Sequence, residues 1–226
     1  DLVLSSTYRQ SAAVTPELAA RDPQNRLLAR GPRNRLSAEM VRDQVLAAAG
    51  LLSDKMFGPP VFPPQPAGVW NSVYSGASWT ESQGEDRFRR ALYTYHKRTS
   101  GFPGFLTFDA PNRDLCTARR IATNTPLQAL VTLNDPAHIE AAQALAKRMA
   151  DHSPELRARL AFGVLLATQQ IATEAMLEEL AALHAAVLTD YQQHPDQAAK
   201  LGNTPEAATL TLTANTLLNL DAALTR

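Results

Sequence analysis

Six times in this chain a proline follows a residue whose side chain can cap a helix: Thr15-Pro16, Asp22-Pro23, Thr125-Pro126, Asp135-Pro136, Ser153-Pro154 and Thr204-Pro205. A hydroxyl or carboxylate at N-cap accepts an orphan backbone N–H, and proline at the first helical position gives up no bond there. Each pair therefore predicts a helix start, and each forbids a helix from running through it. Pro136 would clash with the Thr132 carbonyl in a continuous helix, so 126–133 and 136–150 are expected as two helices joined at Asn134-Asp135. Thr125-Pro126-Leu127-Gln128 also fits a capping box, with Gln128 reaching back to the Thr125 N–H.

Helical periods come after these starts. Ile139, Ala142, Leu145, Ala146 and Met149 share one face; so do Leu156, Leu160 and Val164, and then Met176, Leu180, Leu183 and Val187. Ser37 is placed to cap a helix carrying Val41, Val45 and Ala48 that stops at Gly50. A last helix is expected from about Pro205 to about Leu224. The stretch between the helical zones differs. It holds eleven of the fourteen aromatic residues, from Phe57 to Phe108, and five prolines between Pro59 and Pro66. The proline run can be neither helix nor central strand, and an extended polyproline-like strap is its natural form. "RRALYTYHKRT" reads as a strand or as the end of a helix begun near Glu85, with strand preferred; "GFLTF" is a second candidate strand.

Length and balance set outer limits. The chain has 226 residues, 45% hydrophobic and 19% charged, with 22 basic and 22 acidic side chains. Zero formal net charge gives no general electrostatic argument for nucleic acid or an anionic membrane. No apolar run is long enough for a membrane span. The opening "DLVLSSTYRQ" is not a signal peptide and reads like the interior of a longer chain. One cysteine excludes an internal disulfide and a thiolate-rich metal site.

Several long motifs occur in order: "STYRQS" at 6–11, "DPQNRLLAR" at 22–30, "RLSAEMVRD" at 35–43, "GPPVFPPQPAGVW" at 58–70, "RRALYTYHKRT" at 89–99, "FDAPNRDLCTARR" at 108–120 and "TNTPLQALVTLNDP" at 123–136. With the tail "ANTLLNLDAALTR", they closely resemble the C-terminal domain of large secreted planctomycete proteins, a family of unknown function. In that family a second domain of unknown function usually precedes this one, often with a cytochrome c-like domain further upstream. The resemblance implies an extracytoplasmic protein and a longer polypeptide. It also implies haem c, if any, on an upstream domain, because this chain has no CxxCH. It brings no catalytic residues. His96 stands where the family pattern tends to have an aromatic, so it is a poor candidate for a shared catalytic group.

Three groups of residues are candidates for function. Cys116, with Arg119 and Arg120 nearby, has the makings of a lowered-pKa thiol, but no partnering base is evident. We read it as a small buried side chain on the approach to a helix. Arg113, Arg119 and Arg120 precede a helix N-terminus and form a candidate anion site; internal pairing with Asp109, Asp114 or other carboxylates is the plainer reading. Trp70, Tyr74 and Trp79 form a candidate aromatic platform for a carbohydrate or peptide, or else pack over a helical core. The five histidines, 96, 138, 152, 184 and 194, show no metal-ligand spacing, so no metal site is expected.

The expected architecture is mainly α. One domain, 1–226, is formed by an orthogonal helical array from 1–56 and 116–226, with an irregular aromatic and proline-rich insertion at 57–115 carrying few short strands. The leading functional reading is a non-catalytic binding or scaffold domain whose partners are other domains of the same protein or another subunit. One alternative is an enzyme or enzyme subunit acting on a polyanionic or sugar substrate beside the arginine-rich corner. Another is a docking domain for electron transfer.

Overall fold

A computed structural model of the chain describes residues 1–66, 68 and 78–225. The chain divides into two compact units, Asp1–Arg35 with Thr225, and Leu36–Leu224. In the first unit, helix α1 (Pro16–Arg21) begins where Thr15 accepts the Leu18 N–H. Asp22-Pro23 does not open the second helix its composition predicts. Asp22 instead ends α1, and its carboxylate accepts the Arg26 and Leu27 N–H groups at 2.8 and 2.7 Å. Those bonds, the Leu27 one foremost, hold the Asp22 carboxyl below its usual range. Arg30 donates to the Asp22 and Pro23 carbonyls, so "DPQNRLLAR" is a loop knitted by its own polar groups.

The second unit is helical. Helix α2 (Ala38–Ala49) is capped by Ser37 and ends at Gly50, whose φ of 73° is a conformation glycine adopts without cost. After α3 (Pro103–Thr107) come α4 (Pro126–Asn134) and α5 (Pro136–His152), separated at Asp135 as the proline requires. Helices α6 (Leu156–Thr168), α7 (Glu174–Gln193), α8 (Pro195–Ala198), α9 (Pro205–Leu218) and α10 (Asp221–Leu224) complete the unit. Ser153-Pro154 misses its expected role by two residues: Ser153 closes α5, accepts the Glu155 N–H, and leaves Glu155 at the N-cap of α6. The expected final helix is two, because α9 stops at Asn219.

Helix α5 packs against α2, α4, α6 and α9. Leu145, Met149, Leu160, Val164 and Leu217 meet there with almost no exposure. Such side chains contribute about 1.5–3 kcal/mol each through burial, before entropy is subtracted. Helix α9 buries Thr209, Thr211 and Thr213 in the same region. Each threonine donates its hydroxyl to the carbonyl four residues earlier, so its polarity is satisfied within the helix.

No named strand occurs among the described residues of the insertion. Only single bridges join Ser53 to Arg89 and Val61 to Thr94. "RRALYTYHKRT" forms a short 3-10 turn, Ala91–Tyr93, flanked by extended chain. "GFLTF" is not a strand: it lies mostly within α3, which Pro103 opens. Phe102, Phe105 and Phe108 fall at intervals of three, a helical spacing hidden in a stretch otherwise rich in strand formers. Phe102 and Phe108 are buried.

The proline strap is fastened by a side chain. Val61 exchanges backbone bonds with Tyr93 and Tyr95, both 2.8 Å. Arg89, fully buried, donates to the Pro59 carbonyl at 3.1 Å and to the Phe57 carbonyl, and its guanidinium lies 3.8 Å over the Tyr93 ring. Prolines offer no N–H, and here the arginine supplies the donors.

Candidate functional site

In the predicted arginine corner one arginine pairs internally, and with a carboxylate remote in sequence. Asp109 does not pair with an arginine. Its carboxylate takes the Thr123 N–H at 2.7 Å, the Thr123 hydroxyl and the Gln128 amide. Asp114 accepts from the Asn112 side chain. Arg120 reaches instead to α2 and forks onto Glu39 at 2.6 and 3.0 Å. That fork holds the Glu39 carboxyl below its usual range and raises the Arg120 guanidinium. Arg113 and Arg119 have no partner among the described residues and are exposed. Cys116 is exposed too, not the packed thiol expected from its neighbours. The physical reason is local: every residue from Asn112 to Leu127 is exposed, so this stretch has no interior in which to place a thiol.

Helix α4 then turns the ordinary pattern round. Its fully buried residues are Gln128 and Thr132. Leu127 and Leu130 are 55% and 57% exposed, and Leu133 is also exposed. Of its large apolar residues only Val131 faces inward, against a cluster containing Val41, Phe108 and Leu224. The polar inward face is well satisfied. Gln128 donates to the Thr107 carbonyl at 3.0 Å and accepts the Thr125 N–H at 3.4 Å; Thr132 donates to Asn219 at 2.6 Å. Preceding α4, Leu115 and Ile121 are 82% and 78% exposed. Apart from Val131, large apolar side chains thus point outward from 115 to 133, while Gln128 and Thr132 face the interior.

Of the predicted aromatic platform, Trp70 and Tyr74 lie outside the described residues. Trp79 is half-buried, not laid open. It donates to the Pro63 carbonyl at 2.8 Å and sits between Phe62 and Phe102, with ring centroids 5.1 and 5.8 Å away.

Two cavities lie elsewhere in this unit. One, of about 30 Å³, is a narrow apolar slot between α2, α3 and the start of α5. His138 and Arg42 line it, and neither His138 ring nitrogen has a hydrogen-bond partner in the described structure. Burial is the first cause that pushes Arg42 down to about 10. The other is an open cleft of about 690 Å³ between the α4–α5 corner, α5, α9 and the turn after α8. Neither cavity is lined by Arg113, Arg119 or Arg120. No group of three His, Cys, Asp or Glu among the described residues is arranged to hold a metal ion. No described helix is long and apolar enough to cross a membrane.

Sequence reasoning missed the buried Arg89 and Arg42 and the outward leucines of α4. The leucines had a signal: placing Gln128 as a capping partner also turns it, and Thr132 four residues on, toward the body of the protein.

A family model described as "Protein of unknown function (DUF1553)" matches residues 1–184. No curated protein and no solved structure matches the chain.

Proposed function

The chain belongs to that family of proteins of unknown function, and we propose that it is a non-catalytic docking domain of an extracytoplasmic multidomain protein. Its contact surface is the outer face of α4 with the exposed stretch before it, and its partner is another domain of the same protein or a second subunit. One observation carries this reading: α4 buries glutamine and threonine and exposes leucine. Leu127 and Leu130, each a little over half exposed, leave about half of a possible ~1.5–3 kcal/mol of burial per side chain unused, and apolar surface exposed on one helix face marks interaction sites. The uncommitted Arg113 and Arg119 on the same stretch suit a rim that steers an acidic partner. A haem-bearing domain is one partner that the reading accommodates.

A photoreactive phenylalanine analogue placed at Leu115, Leu127 or Leu130 in the full-length protein tests this in its own cell. Adducts from these positions, mapped to one surface of another domain or subunit, are expected. Positions on the outer face of α7, such as Glu178, should give none. Equal, diffuse labelling from both sets would sink the reading.

A further inference from the structure

We propose that the 690 Å³ cleft receives an extended peptide segment of the partner, apolar along its length and carrying one acidic side chain. This deepens the docking reading and rests on it, because Leu133 belongs both to the outer face of α4 and to the wall of the cleft.

The volume lies in the range of sites that take a specific ligand. The chemistry of the walls selects the class. Asn215, 2% exposed, lines the cleft from α9. Its Nδ2 donates to the Leu133 carbonyl at 3.0 Å, which fixes the orientation of the amide. Its Oδ1 is buried and accepts nothing in the described structure. A buried acceptor left without a donor is destabilising, and a backbone N–H of an incoming strand is a donor that relieves it. Leu133, Ile139, Leu201 and Leu212 supply an aliphatic lining, and no aromatic ring is present on which a sugar would stack.

Charge at the rim decides the side chain. Arg87 is already bound to Glu81 at 3.2 Å and to Glu140 at 2.8 Å. Lys200 is exposed on the turn after α8 and has no carboxylate partner among the described residues. The uncommitted charge is therefore positive, and an Asp or Glu on the segment matches it. Gln143 holds the wall below by donating to the Leu201 carbonyl at 3.0 Å, so the cleft is preorganised.

The test is selection of a displayed library of random twelve-residue peptides against the intact protein. The expected consensus has an Asp or Glu within about four residues of a Leu, Ile or Val. A labelled consensus peptide should bind the Lys200→Glu variant at least ~10-fold more weakly, with binding to the unaltered protein falling as salt rises. Lys200 is exposed, so this variant folds; unchanged thermal melting confirms it. No enrichment, a consensus without an acid, or equal binding to Lys200→Glu overturns the inference. Failure here alongside clean cross-links from Leu127 and Leu130 leaves the docking reading standing without its cleft. Binding lost on Leu127→Glu with Leu130→Glu, but not on Lys200→Glu, places the peptide on α4 and also overturns it.

Discussion

Helices α4 and α5 meet at Asp135, both open with proline, and are built with opposite sides. Helix α5 puts Leu145, Ala146 and Met149 inside and leaves Lys147 and Asp151 outside. Helix α4 puts Gln128 and Thr132 inside and Leu127 and Leu130 outside. A helix held by packing alone must hide its apolar stripe. Helix α4 does not, because hydrogen bonds from Gln128 and Thr132 fix it to Thr107 and Asn219. The difference teaches that the position of a helix and the use of its apolar face are separable: α4 is held by polar bonds, and its leucines are left for something else.

The contrast breaks first under truncation. Leu145→Ala should cost about 2–5 kcal/mol, since the residue is fully buried and leaves a cavity. Leu130→Ala should change stability by less than about 0.5 kcal/mol. Urea denaturation of both measures the gap; similar losses would mean that the α4 face is already covered within the chain. Next comes Gln128→Ala, which removes the Thr125 capping partner and orphans the Thr107 carbonyl. A loss of about 1–3 kcal/mol is expected by the same method. Its failure to destabilise would show that α4 is not held by its polar side.

A smaller effect attaches to the Glu39–Arg120 fork, which ties the exposed stretch to α2. Arg120→Ala should cost about 0.2–1 kcal/mol, and Arg119→Ala nothing measurable. The folded Glu39 carboxyl is depressed below its ordinary value of 4.5 by the Arg120 hydrogen bond. Its contribution is therefore fully present above pH ~4.5 and fades as pH falls through the lower folded value. The stability difference between the native protein and Glu39→Gln should vanish over that acid window. Smallest is Cys116→Ser, expected within about 0.5 kcal/mol of the native protein. The same exposure predicts that an aromatic disulfide reagent labels one thiol per chain without denaturant. A thiol protected until unfolding would return the stretch to the interior and weaken the comparison with α5.

Much of the fold was legible in the residues. The mainly α class rested on cap–proline pairs and periods of three to four. The break at Asp135 rested on one missing N–H. Asp22 and Ser153 show the limit of that logic, because the same side chain that starts a helix can close a turn, and the next few residues decide between the two. Asp22 leads into a loop in which its carboxylate finds two N–H groups at once. The candidate site was less legible. Arg120 finds its partner 81 residues away, so no local pairing of Asp109 or Asp114 could have revealed Glu39. Cys116 was misplaced because a small apolar residue is usually inside, a tendency that holds only where an inside exists.

Arg89 carries a consequence for how the molecule opens. A sheet shares its cohesion among many backbone bonds, and losing one leaves the rest. The strap from Phe57 to Pro66 is instead held at scattered points: the Arg89 guanidinium, the Val61 bridge, the bonds between Phe62 and Ser82, the Tyr93 hydroxyl accepting the Phe57 N–H, and Trp79 donating to the Pro63 carbonyl. It should therefore detach as a unit while the helices stay closed, a sub-global opening whose free energy lies below that of complete unfolding. Proteolysis of the native protein would register that opening as early cleavage within the strap, and Arg89→Lys would hasten it, because an ammonium has neither the fixed planar fork of the guanidinium nor its flat contact with the Tyr93 ring.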